Sequence, residues 1–96
     1  MTVLITYDVS TLTSEGRRRL RQIAQACKDY GQRVQYSVFE CSVNDTKWAV
    51  LRHRLLEIME YQEDSLRFYI LGEDDLKRIE HHGVRPPIDL DGPLIV

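Results

Sequence analysis

No apolar run in this sequence approaches the roughly 20 residues a helix needs to cross a bilayer. The opening residues lack a basic segment followed by an apolar core and a cleavage site, so no secretory leader is expected. Cysteine is scarce, with two among 96 residues. Cys27 and Cys41 stand far apart and form no CxxC, which argues against a disulfide framework and for a reducing cytoplasm. Both read as small core fillers. A P-loop, a dinucleotide-binding glycine pattern and a Ser–His–Asp order are all missing, which removes the common signatures for nucleotide binding and triad hydrolysis. His81 and His82 are adjacent, so their rings need not converge, and with Glu80 they make only a superficial zinc pattern. Internal repeats and low-complexity tracts are absent as well.

What is present suits a single domain over residues 1–96 with one modest core. The apolar fraction of 43% is ordinary for a globular chain. The net charge of -2 conceals an asymmetry: residues 1–56 hold nine Lys/Arg against five Asp/Glu, and residues 57–96 hold four against ten. Nucleic-acid binding needs a basic surface and not a basic total. A lone protomer of this composition is a poor candidate for strong binding. An oligomer that gathers its positive part on one face is a better one.

Residues 3–9, VLITYDV, form the densest apolar stretch, rich in β-branched and aromatic side chains. They read as a central buried strand over about 2–9, ending in one carboxylate. The hydroxyl-rich turn STLTS then starts a helix over about 13–30. Its apolar stripe is Leu20, Ile23, Ala24, Cys27 and Tyr30. Gly16 costs a little propensity in the first turn, and Gly31 reads as a C-terminal stop. Residues 32–43 are too long for one average strand and break near 35–37 into two. In the second piece Val38 and Glu40 face one way, and Ser37, Phe39 and Cys41 the other. Asn44 and Asp45 are cap candidates for a second helix over 45–59. Trp48, Leu51, Leu55 and Ile58 form its stripe, widened by Val50, Leu56 and Met59. After a charged turn at 60–64, residues 65–71 form a strand with Leu66, Phe68 and Ile70 alternating against Arg67, Tyr69 and Leu71.

The order is therefore βαββαβ: an α+β, ferredoxin-like sandwich with an antiparallel sheet and two helices on one face. Two helices cannot cover both faces, so a homodimer joined at the open face is expected. Residues from about 73 to 96 form an extension, with a helical turn at 74–79 and a rigid loop at 83–87. Its apolar end (Ile88, Leu90, then Leu94 to Val96) is expected to pack on the dimer as an additional edge strand, with Pro93 confining it to an edge.

Asp8 carries the chemical question. An ionised carboxylate at the exit of a buried strand must be paired, hydrogen-bonded or metal-bound. It is a hard oxygen ligand suited to Mg²⁺ or Mn²⁺, and a second carboxylate could come from a symmetry mate. It equally serves as an acceptor for the turn and the first helix. Arg17, Arg18, Arg19 and Arg21, with Lys28 and Arg33, could hold a sugar–phosphate backbone with weak sequence preference, or form a solvated face with ion pairs to acidic residues. Tyr7, Tyr36 and Phe39 are aromatic candidates for stacking or phosphate contact, and core packing accounts for them too. Glu40 is a second carboxylate or a cross-strand ion-pair partner.

Tyr7-Asp8-Val9-Ser10, the basic stretch 16–21, Tyr30-Gly31-Gln32-Arg33-Val34-Gln35 and Ser37-Val38-Phe39-Glu40-Cys41 occur in an order that resembles the small CRISPR-associated endonuclease-like proteins of spacer acquisition. Residues 65–72, SLRFYILG, are similar to that family's closing core strand. The resemblance covers nearly the whole chain and is weakest after about residue 73. It implies a ferredoxin-like protomer in a symmetric homodimer, reinforced by a tail strand. It implies a Mg²⁺- or Mn²⁺-dependent phosphodiesterase acting on RNA or duplex DNA, with Asp8 as the metal-binding residue and Tyr7 and Phe39 at the site. Basic positions are implied among Arg17, Arg18, Arg19 and Arg33. It also implies a bridging role between two integrase subunits that hold foreign DNA, a role that does not require cutting. Two functions follow from different classes: a metal-dependent endonuclease and a DNA-binding scaffold.

Overall fold

A run of strand formers, alternately buried and half-buried, opens the chain and takes the middle of a sheet. The structure, a computed structural model, describes residues 1–84. Its elements are β1 (Thr2–Asp8), α1 (Ser14–Tyr30), β2 (Gly31–Gln35), β3 (Val38–Ser42), α2 (Asp45–Ile58), β4 (Ser65–Leu71) and a short α3 (Glu73–Leu76). The strand order is β2-β3-β1-β4, and each neighbouring pair is antiparallel. This is the expected ferredoxin-like α+β arrangement.

The pleat of β1 decides which residues meet. Val3, Ile5 and Tyr7 turn toward the helices and join Phe39 and Cys41 of β3, Ile23, Ala26 and Cys27 of α1, and Leu51 and Leu55 of α2 in one core. Leu4, Thr6 and Asp8 take the opposite side, beside Val38, Glu40, Arg67 and Tyr69 of the flanking strands. Burial pushes the Cys27 thiol up to about 12 and the Cys41 thiol up to about 11, so both stay protonated and act as core fillers. Trp48 meets Phe68 edge to face at 4.9 Å, closing α2 onto β4.

Caps mark the helix starts. The Thr13 hydroxyl accepts from the Gly16 amide at 3.0 Å, and the Asn44 side chain accepts from the Lys47 amide at 2.8 Å. Gly31 ends α1 as expected, in extended backbone with φ -161°, and opens β2 directly. Glycine is needed there because a Cβ would collide with Glu40 and Cys41 on the neighbouring strand. Some other expectations need correction. Val50 is 54% exposed, since it sits roughly 100° around α2 from Leu51. Ile70 is 53% exposed at the far end of an edge strand, past the Trp48–Phe68 contact. The helical turn after β4 covers 73–76 and not 74–79. The expected tail strand, with Ile88, Leu90, Pro93 and residues 94–96, lies outside the described residues.

One buried charge ties three segments together. Asp64, with a fully buried side chain, receives the Arg19 guanidinium (Nε to Oδ2 at 2.8 Å, Nη2 to Oδ1 at 3.2 Å), the Glu60 amide at 2.9 Å and the Ser10 amide at 3.3 Å. It thus joins α1, the turn before β4 and the loop after β1. Burial pushes the Asp64 carboxyl up, but the Arg19 guanidinium and the two amides pull it down further, leaving it below its ordinary value.

Two outcomes follow for the fold. A folded-state carboxyl held low contributes stability that is complete above the unfolded value of about 3.9 and is lost as pH falls through the folded one. The melting temperature of the wild-type protein should therefore fall more steeply below about pH 4 than that of Asp64→Asn, in parallel thermal scans. Gly16→Ala would drive a methyl into the Ser10 carbonyl, a backbone atom with nowhere to go. Urea unfolding should show a loss of about 1–3 kcal/mol.

Candidate functional site

Adjacent residues in a strand point to opposite faces, and this separates the sequence-derived candidates into two groups. Asp8 is exposed at the end of β1, across from Ser65 of β4, on the side away from α1 and α2. Tyr7 turns the other way. Its ring is buried, stacks with Phe39 at 6.3 Å and donates its hydroxyl to the Tyr36 carbonyl at 3.2 Å. Burial raises the Tyr7 hydroxyl pKa despite the nearby Arg33. Tyr7 therefore lies on the core side of the sheet, whereas Asp8, expected to act with it, lies on the open side.

Phe39 lies on the core side as well. Its ring is 0% exposed, so it offers no free face to a base. What covers it at the sheet edge is Arg33, whose guanidinium lies 5.1 Å from the ring centroid. Arg33 and Phe39 are cross-strand partners, so they share a face. The Arg33 Nε is buried and has no acceptor among the described residues. Beside it, between α1 and the β2–β3 hairpin, a hollow of about 420 Å³ is lined by Leu20, Arg21, Ala24, Arg33 and Tyr36. Tyr36, at the hairpin turn, is exposed.

The arginine run divides as well. Arg17, Arg18 and Arg21 are exposed near the start of α1. Arg17 also donates to the Thr11 carbonyl at 3.1 Å, which steadies the loop after Asp8. Arg19 does not belong with them. Its guanidinium is held by Asp64 and, at 3.4 Å, by Glu63. The Arg19 guanidinium, expected among those that hold nucleic acid, is thus engaged within the protomer. Asp64 is the residue that sequence reasoning missed; its one signal was an acidic residue directly before a strand.

The donor set can be tested against a metal. Among the described residues no group of three or more His, Cys, Asp and Glu side chains could hold an ion. Glu40 shares the face of Asp8 but pairs with Leu4, four residues back along β1, or about 13 Å at strand spacing. Among the described residues, the open sheet face thus offers one hard, exposed carboxylate, Asp8. That fits a Mg²⁺ or Mn²⁺ ion that keeps most of its water and takes its other ligands from phosphate or a second carboxylate. It does not fit a closed four-ligand cage. No helix among the described residues is long and apolar enough to cross a membrane.

Comparison with known proteins converges on one family. Residues 1–79 match the family model described as CRISPR associated protein Cas2. The CRISPR-associated endoribonuclease Cas2 of Nitratidesulfovibrio vulgaris is 57% identical over 96 residues, which span 100% of this chain and 94% of that one. The protein of the same name from Chlorobaculum tepidum is 56% identical over 96 residues, spanning 100% of both chains. The crystal structure of Streptococcus pyogenes Cas2 at pH 6.5 superposes with a TM-score of 0.77 at 53% identity, covering 86% of this chain and 100% of that one. Matches of this extent, on a shared fold, show that the chain belongs to the CRISPR-associated Cas2 family.

Proposed function

We propose that this chain is a divalent-metal-dependent endonuclease of CRISPR spacer acquisition that hydrolyses phosphodiester bonds in RNA as a symmetric homodimer. The observation that carries the reading is the exposed Asp8 carboxylate at the end of the central strand, on the sheet face opposite α1 and α2. The names of the two endoribonuclease relatives support RNA as substrate. The open face supports the dimer: Leu4, Val38 and Leu71 lie half-buried there, and Tyr69 beside them is exposed. A second copy on this face brings a second Asp8 toward the first. The buried, free cysteines suit a reducing cytoplasm.

In this reading Asp8 and the partner copy's equivalent carboxylate hold Mg²⁺ or Mn²⁺. When bound, such an ion lowers the pKa of water and offsets the charge of a phosphoryl transition state. Arg17, Arg18 and Arg21 bind backbone phosphates and set the strand against Asp8. Asp8→Asn is expected to slow Mn²⁺-supported cleavage of single-stranded RNA at least about a hundredfold, roughly 3 kcal/mol of barrier. RNA retention on a filter should stay within about twofold, because no hydrogen bond or ion pair among the described residues links the Asp8 carboxylate to the exposed arginines. Equal cutting by both proteins would remove Asp8 from the reaction, and cutting of duplex DNA alone would change the substrate.

A second reading is a DNA-binding bridge between two integrase subunits that cuts nothing. The observation favouring it is a local imbalance: one exposed carboxylate on the open face, Asp8, against three exposed arginines near the start of α1, Arg17, Arg18 and Arg21. Replacing Arg18 and Arg21 together by Ala should lower the slope of log K against log salt by about 2 for duplex DNA. The measurement is filter retention across a salt series. An unchanged slope would place the phosphates elsewhere.

A further inference from the structure

The backbone ladder between β1 and β4 stops at the pair Asp8 and Ser65. Past that pair no strand bonding holds the chain that carries Asp8. The next connection is made by a side chain. Asp64, the residue before β4, reaches across and accepts the Ser10 amide at 3.3 Å, two residues beyond Asp8. Its two oxygens also take Arg19 twice and the Glu60 amide once. A carboxylate has about four acceptor positions, so Asp64 is filled. It has no capacity left to be a metal ligand itself.

Ser10 is gripped from its other side as well. Its carbonyl lies against Gly16, where even a Cβ would collide. Thr11 is held through its carbonyl by Arg17, and Thr13 caps α1. Between Asp8 and this anchored loop stands only Val9, itself buried in the core. Asp8 therefore leaves the sheet from one backbone position, and the buried Asp64–Arg19 pair holds the far side of that exit.

We propose that Asp64 is a positioning residue for Asp8, and that Arg19 acts through Asp64 and not on phosphate. The pair presents the Asp8 carboxylate at one place on the open face. The part of this that concerns metal rests on Asp8 being the metal-binding carboxylate; the part that concerns the loop does not. An ion pair serving only stability would lower the melting temperature and leave the folded protein's metal affinity alone. Supporting residues around a metal ligand typically change affinity about 10–100-fold when removed.

The test uses the full chain well below its melting temperature. Asp64→Asn is compared with wild type by hydrogen exchange at the Ser10 amide and by Mn²⁺ binding from water-proton relaxation. Exchange should be at least about tenfold faster and Mn²⁺ binding at least about tenfold weaker, with RNA cleavage partly restored at saturating Mn²⁺. Unchanged exchange would overturn the proposal, and so would wild-type Mn²⁺ affinity in a variant whose Ser10 amide is freed. If wild type itself binds no Mn²⁺, the metal reading of Asp8 fails, and the exchange rate alone decides whether Asp64 holds the loop. Arg19→Gln supplies a second measurement should Asp64→Asn not fold. It should speed Ser10 exchange in the same direction and leave the salt slope of RNA binding unchanged. A slope lower by about 1 would put Arg19 on a phosphate and overturn its assignment.

Discussion

The two-residue period of β1 governs everything described above. One strand supplies the middle of the core with Val3, Ile5 and Tyr7 and the exposed carboxylate with Asp8. Each role depends on register, because a slip of one residue would send the core set outward and the carboxylate inward. Pairing on both sides prevents it. β1 is bonded to β3 along Thr2 to Thr6 and to β4 along Thr2 to Asp8. The Met1 ammonium donates to the Val43 carbonyl at 2.9 Å, and the Tyr7 amide to the Ser37 carbonyl at 3.1 Å, pinning both ends. Packing and presentation of Asp8 are consequences of one constraint.

The same logic, with a period of 3.6, sorts the arginines of α1. Buried Gly16, Ile23, Ala26 and Cys27 mark the inner stripe of the helix. Arg19 follows Gly16 by three and precedes Ile23 by four, so it lies on that stripe, where a charge must find a partner. It finds Asp64. Arg17, Arg18 and Arg21 fall outside the stripe and stay exposed. A run that reads as one basic patch is thus one structural cation and three surface ones.

Much of this was legible beforehand, and what was not has identifiable causes. Element types and order followed from periodicity and caps: Thr13 and Asn44 start the helices where hydroxyl and amide side chains were expected to. The antiparallel sandwich followed from two helices and four strands in the chain order βαββαβ. The division between Tyr7 and Asp8 was present in the alternation, but the family resemblance gathered Tyr7, Asp8 and Phe39 into one site and obscured it. The role of Gly16 was not legible, because it depends on how closely the Ser10 carbonyl passes. Nor was the Arg19–Asp64 pair, whose members stand 45 residues apart and meet only once β4 is laid beside β1.

Two carboxylates flank the same strand end and meet opposite fates for a physical reason. A group that is to bind a hydrated cation and a substrate phosphate must keep its acceptor positions open, so it cannot also be the group that holds its own loop. The Asp8 carboxylate is exposed and makes no hydrogen bond or ion pair among the described residues. Asp64 is fully buried, and every acceptor position is taken. Dividing the work this way lets the loop be rigid while the ligand stays free. It also explains why a buried pair is kept at a place where apolar packing would serve stability as well. A hydrophobic replacement could fill the volume between α1 and the turn before β4, but it could not receive the Ser10 amide. That amide is what connects the stability of the fold to the position of Asp8.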